Sequence, residues 1–251
     1  MKVVILQSNY IPWKGYFDLI NDADIFVYYD EVQYTKNDWR NRNKIYSVNA
    51  EQWLTIPIAK DAVKWKISEV EIADSSWQVL HHKSIYYAYK KAPYFSQIEP
   101  LINEVSLEMK RSSLIQLNRY LIEKIAQMIG ITTTFVDSKS LNLSGDRVER
   151  LVDILVQLGA THYISGPSAK NYLSSSELLF NKNNIEIVYK DYSGYPQYKQ
   201  MREPFIHSLS ILDLLVNVKM DEVKDYIWNS NKSENIHNND ISDFIITKMK
   251  E

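Results

Sequence analysis

The chain has no cysteine, only six glycines and seven prolines, and no excess of either charge. Without cysteine there is no disulfide, no thiolate metal site and no acyl-cysteine intermediate, so any acyl chemistry is direct or uses an oxygen or nitrogen nucleophile. The glycines form neither GxGxxG nor GxxxxGK[ST], so the glycine-rich phosphate loops are missing. A net charge of −2 offers no overall field for a nucleic-acid duplex. No apolar run approaches the roughly 20 residues that cross a bilayer. Lys2 enters a strand at once with no charged, apolar, small-residue leader, and the expectation is a cytoplasmic protein without membrane insertion. The histidines show no metal-ligand spacing: His81 and His82 are adjacent on a predicted helix and point about 100° apart, and His162, His207 and His237 are isolated. No metal and no tightly bound cofactor are expected.

What is present is a chain of 251 residues, 45% hydrophobic, long enough to bury a sizeable core. Residues 2–7 form a nearly continuous apolar run, as in a parallel strand buried on both faces. A short helix around 14–20 and a strand at 25–29 follow, and 53–58 and 64–72 alternate as strands or extended arms, with Pro57 implying an edge. From about 76 to 130 the period is helical, stopping at Gly130. Strands at 131–136, 161–165 and 185–188 then alternate with helices. This order predicts an α/β fold: a mostly parallel, Rossmann-like sheet flanked by helices, as one domain over 1–228 with a helical insertion at about 76–130, and a polar tail over 229–251.

Sites in open α/β sheets lie beyond the carboxyl ends of strands, where the strand order reverses. The loops in that position are rich in amides and aromatics rather than in small turn residues. After the first strand, Gln7, Asn9 and Tyr10 can read a hydroxyl- or amide-rich ligand, and Trp13 can stack on a base or sugar face, although core packing is the default for an aromatic. After the second, Asp30 can act as a base, hold a hydroxyl or amine, or merely cap a turn, and Gln33 belongs to the same loop. Lys36, Trp39, Arg40, Asn41 and Arg42 form a cationic and aromatic stretch whose arginine forks suit a phosphate or carboxylate, the alternative being a solvated loop. Ser165 and Lys170 flank a strand-to-helix junction of the kind that favours anions. His81 is the candidate general base, with Asp30 as the alternative.

Gln7-Ser-Asn-Tyr-Ile-Pro-Trp-Lys-Gly-Tyr-Phe-Asp18, Asp30-Glu-Val-Gln-Tyr34, Trp39-Arg-Asn-Arg-Asn43, Trp53-Leu-Thr-Ile-Pro57, Trp77 with His81, Tyr163-Ile-Ser-Gly-Pro167 and Ser210-Ile-Leu-Asp-Leu-Leu-Val-Asn217 together resemble the WbqC-like family, in order, over about residues 2–228. Ser8 departs from the proline usual there. The resemblance implies a place in bacterial O-antigen or related surface-polysaccharide synthesis and a glycine or other aminoacyl transferase role. The first βα unit is also similar in layout to nucleotidylyltransferases of the pantothenate-synthetase type, but Trp13-Lys14-Gly15-Tyr16 stands where those enzymes carry HxGH. The expected activity is acyl transfer, glycyl included, from a thioester to the amine of a nucleotide-linked amino sugar, the donor arm being phosphopantetheine on an acyl carrier protein, or coenzyme A. Lys36, Arg40 and Arg42 would bind phosphates, and Gln7, Asn9 and Asn41 would orient the sugar or the oxyanion. An ATP-dependent nucleotidyltransferase or ligase, and a non-catalytic sugar-nucleotide or carrier-protein binding module, are the competing readings.

Overall fold

In a computed structural model, which describes residues 1–48, 51–108 and 112–228, Val3, Val4 and Ile5 are buried from both sides. The polar tail expected over 229–251 lies outside the described residues, as does Met109. The strands are β1 (Lys2–Leu6), β2 (Ile25–Tyr28), β3 (Arg42–Tyr46), β4 (Glu51–Thr55), β5 (Thr134–Asp137), β6 (His162–Ser165) and β7 (Glu186–Tyr189). Five of them form a parallel sheet in the order β5-β2-β1-β6-β7, with Val3 opposite Ile25 on one side and Tyr163 on the other. The chain works outward from β1 through β2 to β5, then returns across β1 to β6 and β7. The order therefore reverses between β1 and β6, and the crevice for a ligand lies at their carboxyl ends.

Alternate side chains of each strand feed separate cores. Val4, Phe26, Tyr28 and Ile164 pack against α1 (Lys14–Asp22), α2 (Ser76–Tyr89), α3 (Glu99–Asn103) and α4 (Leu114–Met128) on one face. Val3, Ile5, Val27 and Tyr163 pack against α5 (Arg147–Gln157), α6 (Lys170–Leu173) and α7 (Glu177–Lys182) on the other. The closing helices α8 (Ile211–Asn217) and α9 (Val223–Ile227) join the first core. In α4, Leu114, Leu117, Leu121, Ile122 and Ile125 recur at three- and four-residue spacing and are all buried, so one face is fixed to the core and the other can project polar groups to the strand ends. The helix stops at Gly130, whose φ of +70° suits glycine. α5 starts at a capping box, Asp146 accepting from the Val148 and Glu149 N–H groups and Glu149 accepting from Asp146 N–H.

Two local expectations are corrected. Arg42 and Asn43, expected in a loop, begin β3, which pairs antiparallel with β4 from Arg42 opposite Thr55 to Tyr46 opposite Glu51. The stretch 64–72 is no strand. It makes single 3₁₀ turns at Ala62–Lys64 and Ile67–Glu69, with isolated bridges at Gln33–Lys66 and Ile58–Ile72. Ile67 and Val70, both buried, are three residues apart, the spacing of a 3₁₀ turn rather than the two-residue period of a strand. Pro57 follows β4 rather than lying on it.

Candidate functional site

Asp30 follows β2 with its side chain fully buried, and both oxygens are held. Ser8 N–H donates to Oδ1 at 2.8 Å, and Arg119 on α4 donates from Nε (3.0 Å) and Nη2 (2.8 Å) to Oδ2. The third arm of Arg119 reaches Asp137 at the end of β5, so one guanidinium ties together the carboxyl ends of β1, β2 and β5. The Asp137 carboxyl is partly desolvated, but Arg119 and the Lys139 N–H outweigh this and hold it below the usual carboxylate range. Asp30, with both oxygens engaged, orients the loop that follows β2.

Beside this network Arg40 faces the β1 loop. Its Nη1 donates to Asn9 Oδ1 at 2.5 Å and its Nη2 to Gln7 Oε1 at 3.0 Å. Asn118, one residue before Arg119, donates from Nδ2 to the backbone oxygens of Arg40 (2.8 Å) and Ser8 (3.4 Å). Asn41 accepts from Tyr34 and donates to the Ile56 oxygen, and Asn43 donates to the Tyr10 and Ile11 oxygens. Asn43 and Asn118 therefore fasten the stretch around Arg40 to the β1 loop, while Asn41 ties it to the segment that follows β4. Among the described residues, Ser8 Oγ, Asn118 Oδ1 and Arg40 Nε are buried with no hydrogen-bond partner. Polar atoms buried without partners are costly, and these three belong to the residues that Asn118 draws together at the strand ends.

Tyr10 N–H donates to the Trp39 oxygen, and its hydroxyl lies 2.9 Å from His81 Nδ1 on α2. The other imidazole nitrogen hydrogen-bonds the Thr55 backbone, and Trp77 meets the ring edge-on at 5.2 Å. Burial drives the His81 pKa down to about 4, against a smaller upward pull from Thr55, so the ring is neutral at pH 7. Burial likewise pushes Tyr10 well up. Arg42 does not share a ligand direction with Arg40: it donates to the Asn37 oxygen and lies 4.2 Å over the Trp53 ring, which also meets Trp39 at 5.4 Å.

Trp13 packs across the other half of the edge, on Tyr192 at 5.0 Å and Tyr195 at 6.2 Å. Gly15 is required beneath it, because a Cβ there would stand 2.3 Å from the indole. Next to it, Lys14 is almost completely buried, donates to the Pro196 oxygen and faces the rings of Tyr195, Tyr198 and Phe205. Burial lowers its pKa to about 8, with Asp213 and Asp18 opposing. Lys190, just after β7, bridges Asp18 and Asp22 of α1. Ser165 is buried at the end of β6, 3.5 Å from the Tyr163 hydroxyl, while Lys170 and Lys36 are exposed and Gln33 donates to the Val63 oxygen. Gln7, Asn9, Tyr10, Asp30, Trp39, Arg40 and Asn41 thus converge on one loop system, and Lys36, Gln33 and Lys170 stand outside it. Sequence reading missed Asn118 and Arg119, whose place on a strongly amphipathic helix gave no polar motif, and it missed Asp137 as a partner. Among the described residues no group of three or more ligating side chains fits a metal.

A parallel five-strand sheet flanked by helices on both faces, with its strand order reversing beside β1, defines an α/β protein. Residues 7–225 match the WbqC-like protein family, and the chain belongs to that family. An uncharacterized protein of Mycobacterium tuberculosis, Rv1507c, is 41% identical over 227 residues, covering 90% of this chain and 97% of its own length. No solved structure matches.

Proposed function

We propose that the edge formed by the β1 and β2–β3 loops binds a nucleotide-linked amino sugar of surface-polysaccharide synthesis, and that the protein transfers an acyl group, glycyl among the candidates, to the sugar amine from a phosphopantetheine or coenzyme A thioester. The observation carrying this reading is Arg40, a guanidinium held in place by Gln7 and Asn9 at the switch point, with the Asp38 carboxylate 3.7 Å away as its resident counter-ion. A fork fixed before the ligand arrives binds a diphosphate with little ordering cost. Gln7 and Asn9 then offer the amide groups that read a sugar, and Trp13 and Trp39 the flat faces that stack on a ring.

In the reaction the amine nitrogen bonds to the thioester carbon, the C–S bond breaks and the thiol leaves with one proton. Since Asp30 has both oxygens engaged, His81 is the assigned acceptor for the amine proton, reached through the Tyr10 hydroxyl, which hands its own proton to Nδ1 as it takes the other. An imidazole of pKa about 4 passes a proton on rather than keeping it, here to the departing thiolate. Replacing His81 by Asn is expected to cut turnover about 10²–10⁴-fold with sugar-nucleotide binding intact; unchanged turnover in a folded variant removes His81 from the reaction. A second reading, a non-catalytic sugar-nucleotide module, is favoured by the full engagement of Asp30 and His81 and predicts binding without product for every thioester offered.

A further inference from the structure

α2 carries apolar residues on both its inner and its outer side. Trp77, His81, Ile85, Ala88 and Tyr89 face the core, yet Val79, Leu80 and Tyr87 are 50%, 60% and 62% exposed on the opposite side. A helix apolar all round is normally buried all round. At 100° per residue, Val79, Lys83, Tyr87 and Leu80 fall in that order across one exposed stripe, and Lys90 lies within it, its Nζ 4.8 Å over the Tyr87 ring. Between Ser75 and Ile98 there is no aspartate or glutamate, and Lys83, Lys90 and Lys91 make no salt bridge among the described residues. The neighbouring Glu104–Glu108 segment, packed on α2, adds Leu107, 65% exposed. A chain with a net charge of −2 thus sets Lys83, Lys90 and Lys91 on a helix that exposes Val79, Leu80 and Tyr87 together on one side.

We infer that the outer face of α2 is a docking surface for an acidic amphipathic helix of a protein partner, and, resting on the acyl-transfer reading above, that this partner is the carrier protein bearing the thioester. The charge distribution selects the occupant. A helix lying on a membrane keeps its cations on the side away from the apolar face, whereas Lys83 stands in the middle of the stripe, between Val79 and Tyr87, and needs a carboxylate set among apolar groups. A second copy of the chain across a twofold axis would bring lysines against lysines. The same helix carries His81 on its inner face, where it meets Tyr10 of the β1 loop, so one helix links the docking face on its outer side to that loop on its inner side.

The test titrates the full chain with holo acyl carrier protein of the producing organism, loaded with glycine, by fluorescence anisotropy, in parallel with vesicles of phosphatidylglycerol and with light scattering for self-association. Lys83→Glu and Leu80→Asp are compared with wild type, each checked for unchanged thermal midpoint and unchanged sugar-nucleotide affinity. Salt-sensitive binding of carrier protein that both variants weaken tenfold or more is the expected result. No binding by wild type, binding indifferent to both variants, or loss only of vesicle binding or self-association overturns the proposal. Carrier binding that responds to the variants but yields no acylated sugar under any condition leaves this surface in place and removes the transferase reading. Acyl transfer from carrier at full rate in both variants does the reverse.

Discussion

At the scale of single residues, His81 gives the clearest pH signature. Its folded pKa, about 4, lies below the ordinary 6.5, so between those values the unfolded chain binds a proton that the native chain does not. Stability linked to His81 is therefore complete above about pH 6.5 and falls as pH drops toward 4, by roughly 3 kcal/mol in all at about 1.4 kcal/mol per unit. Urea midpoints between pH 7 and 4 should decline less steeply in His81→Asn than in wild type, and equal slopes would mean the buried ring is not held neutral. The residue was legible in the sequence as a candidate base, but its surroundings were not. That Tyr10 and Thr55 engage its two nitrogens depends on contacts 71 and 26 positions away, which no local pattern encodes. Arg40 was legible as a cation among amides; that Arg42 would turn instead to Trp53 was not, because β3 begins between them and sets their directions apart.

At the scale of elements, α4 acts as a clamp on the sheet. Removing the Arg119 side chain, as in Arg119→Met, leaves the Asp30 carboxylate buried with only Ser8 N–H as partner, and should destabilise the fold by roughly 3–5 kcal/mol in chemical unfolding. Asp30→Asn in the same background should recover part of that loss, since the uncompensated charge is then gone, and an additive cycle would show that the two side chains act separately. The start of α1 carries a second test. Gly15→Ala drives a methyl into the Trp13 ring, which is backed by Tyr192 and Tyr195, so a loss of about 1–3 kcal/mol and a changed tryptophan emission are expected; a neutral variant would mean the indole moves freely. Gly130 as a helix stop and the apolar face of α4 could be read directly, because both are local and periodic. The β3–β4 hairpin was half seen: its basic first strand reads as a loop, and only pairing with β4 reveals it.

At the scale of the whole molecule, the continuous apolar run of β1 and the alternation of strands and helices sufficed for the parallel α/β reading, since burial from both faces leaves a compositional trace. Strand order did not follow from the sequence, and it is the order β5-β2-β1-β6-β7 that places the reversal beside β1 and brings Gln7, Asn9 and Arg40 to the switch point. No helix among the described residues is long and apolar enough to cross a membrane. Family membership fixes the kinship of residues 7–225, and the proposed anion-binding edge is the part of the account that experiment can reach first. The most direct measurement is calorimetric titration of wild type and Arg40→Gln with UDP- and dTDP-linked amino sugars, each paired with its free nucleotide and followed by mass spectrometry after adding a glycyl thioester. Binding selective for one amino sugar, weakened tenfold or more by Arg40→Gln and followed by the mass gain of one acyl group, is the predicted result; equal affinity in both proteins, or a bound amino sugar that never gains mass, would contradict it.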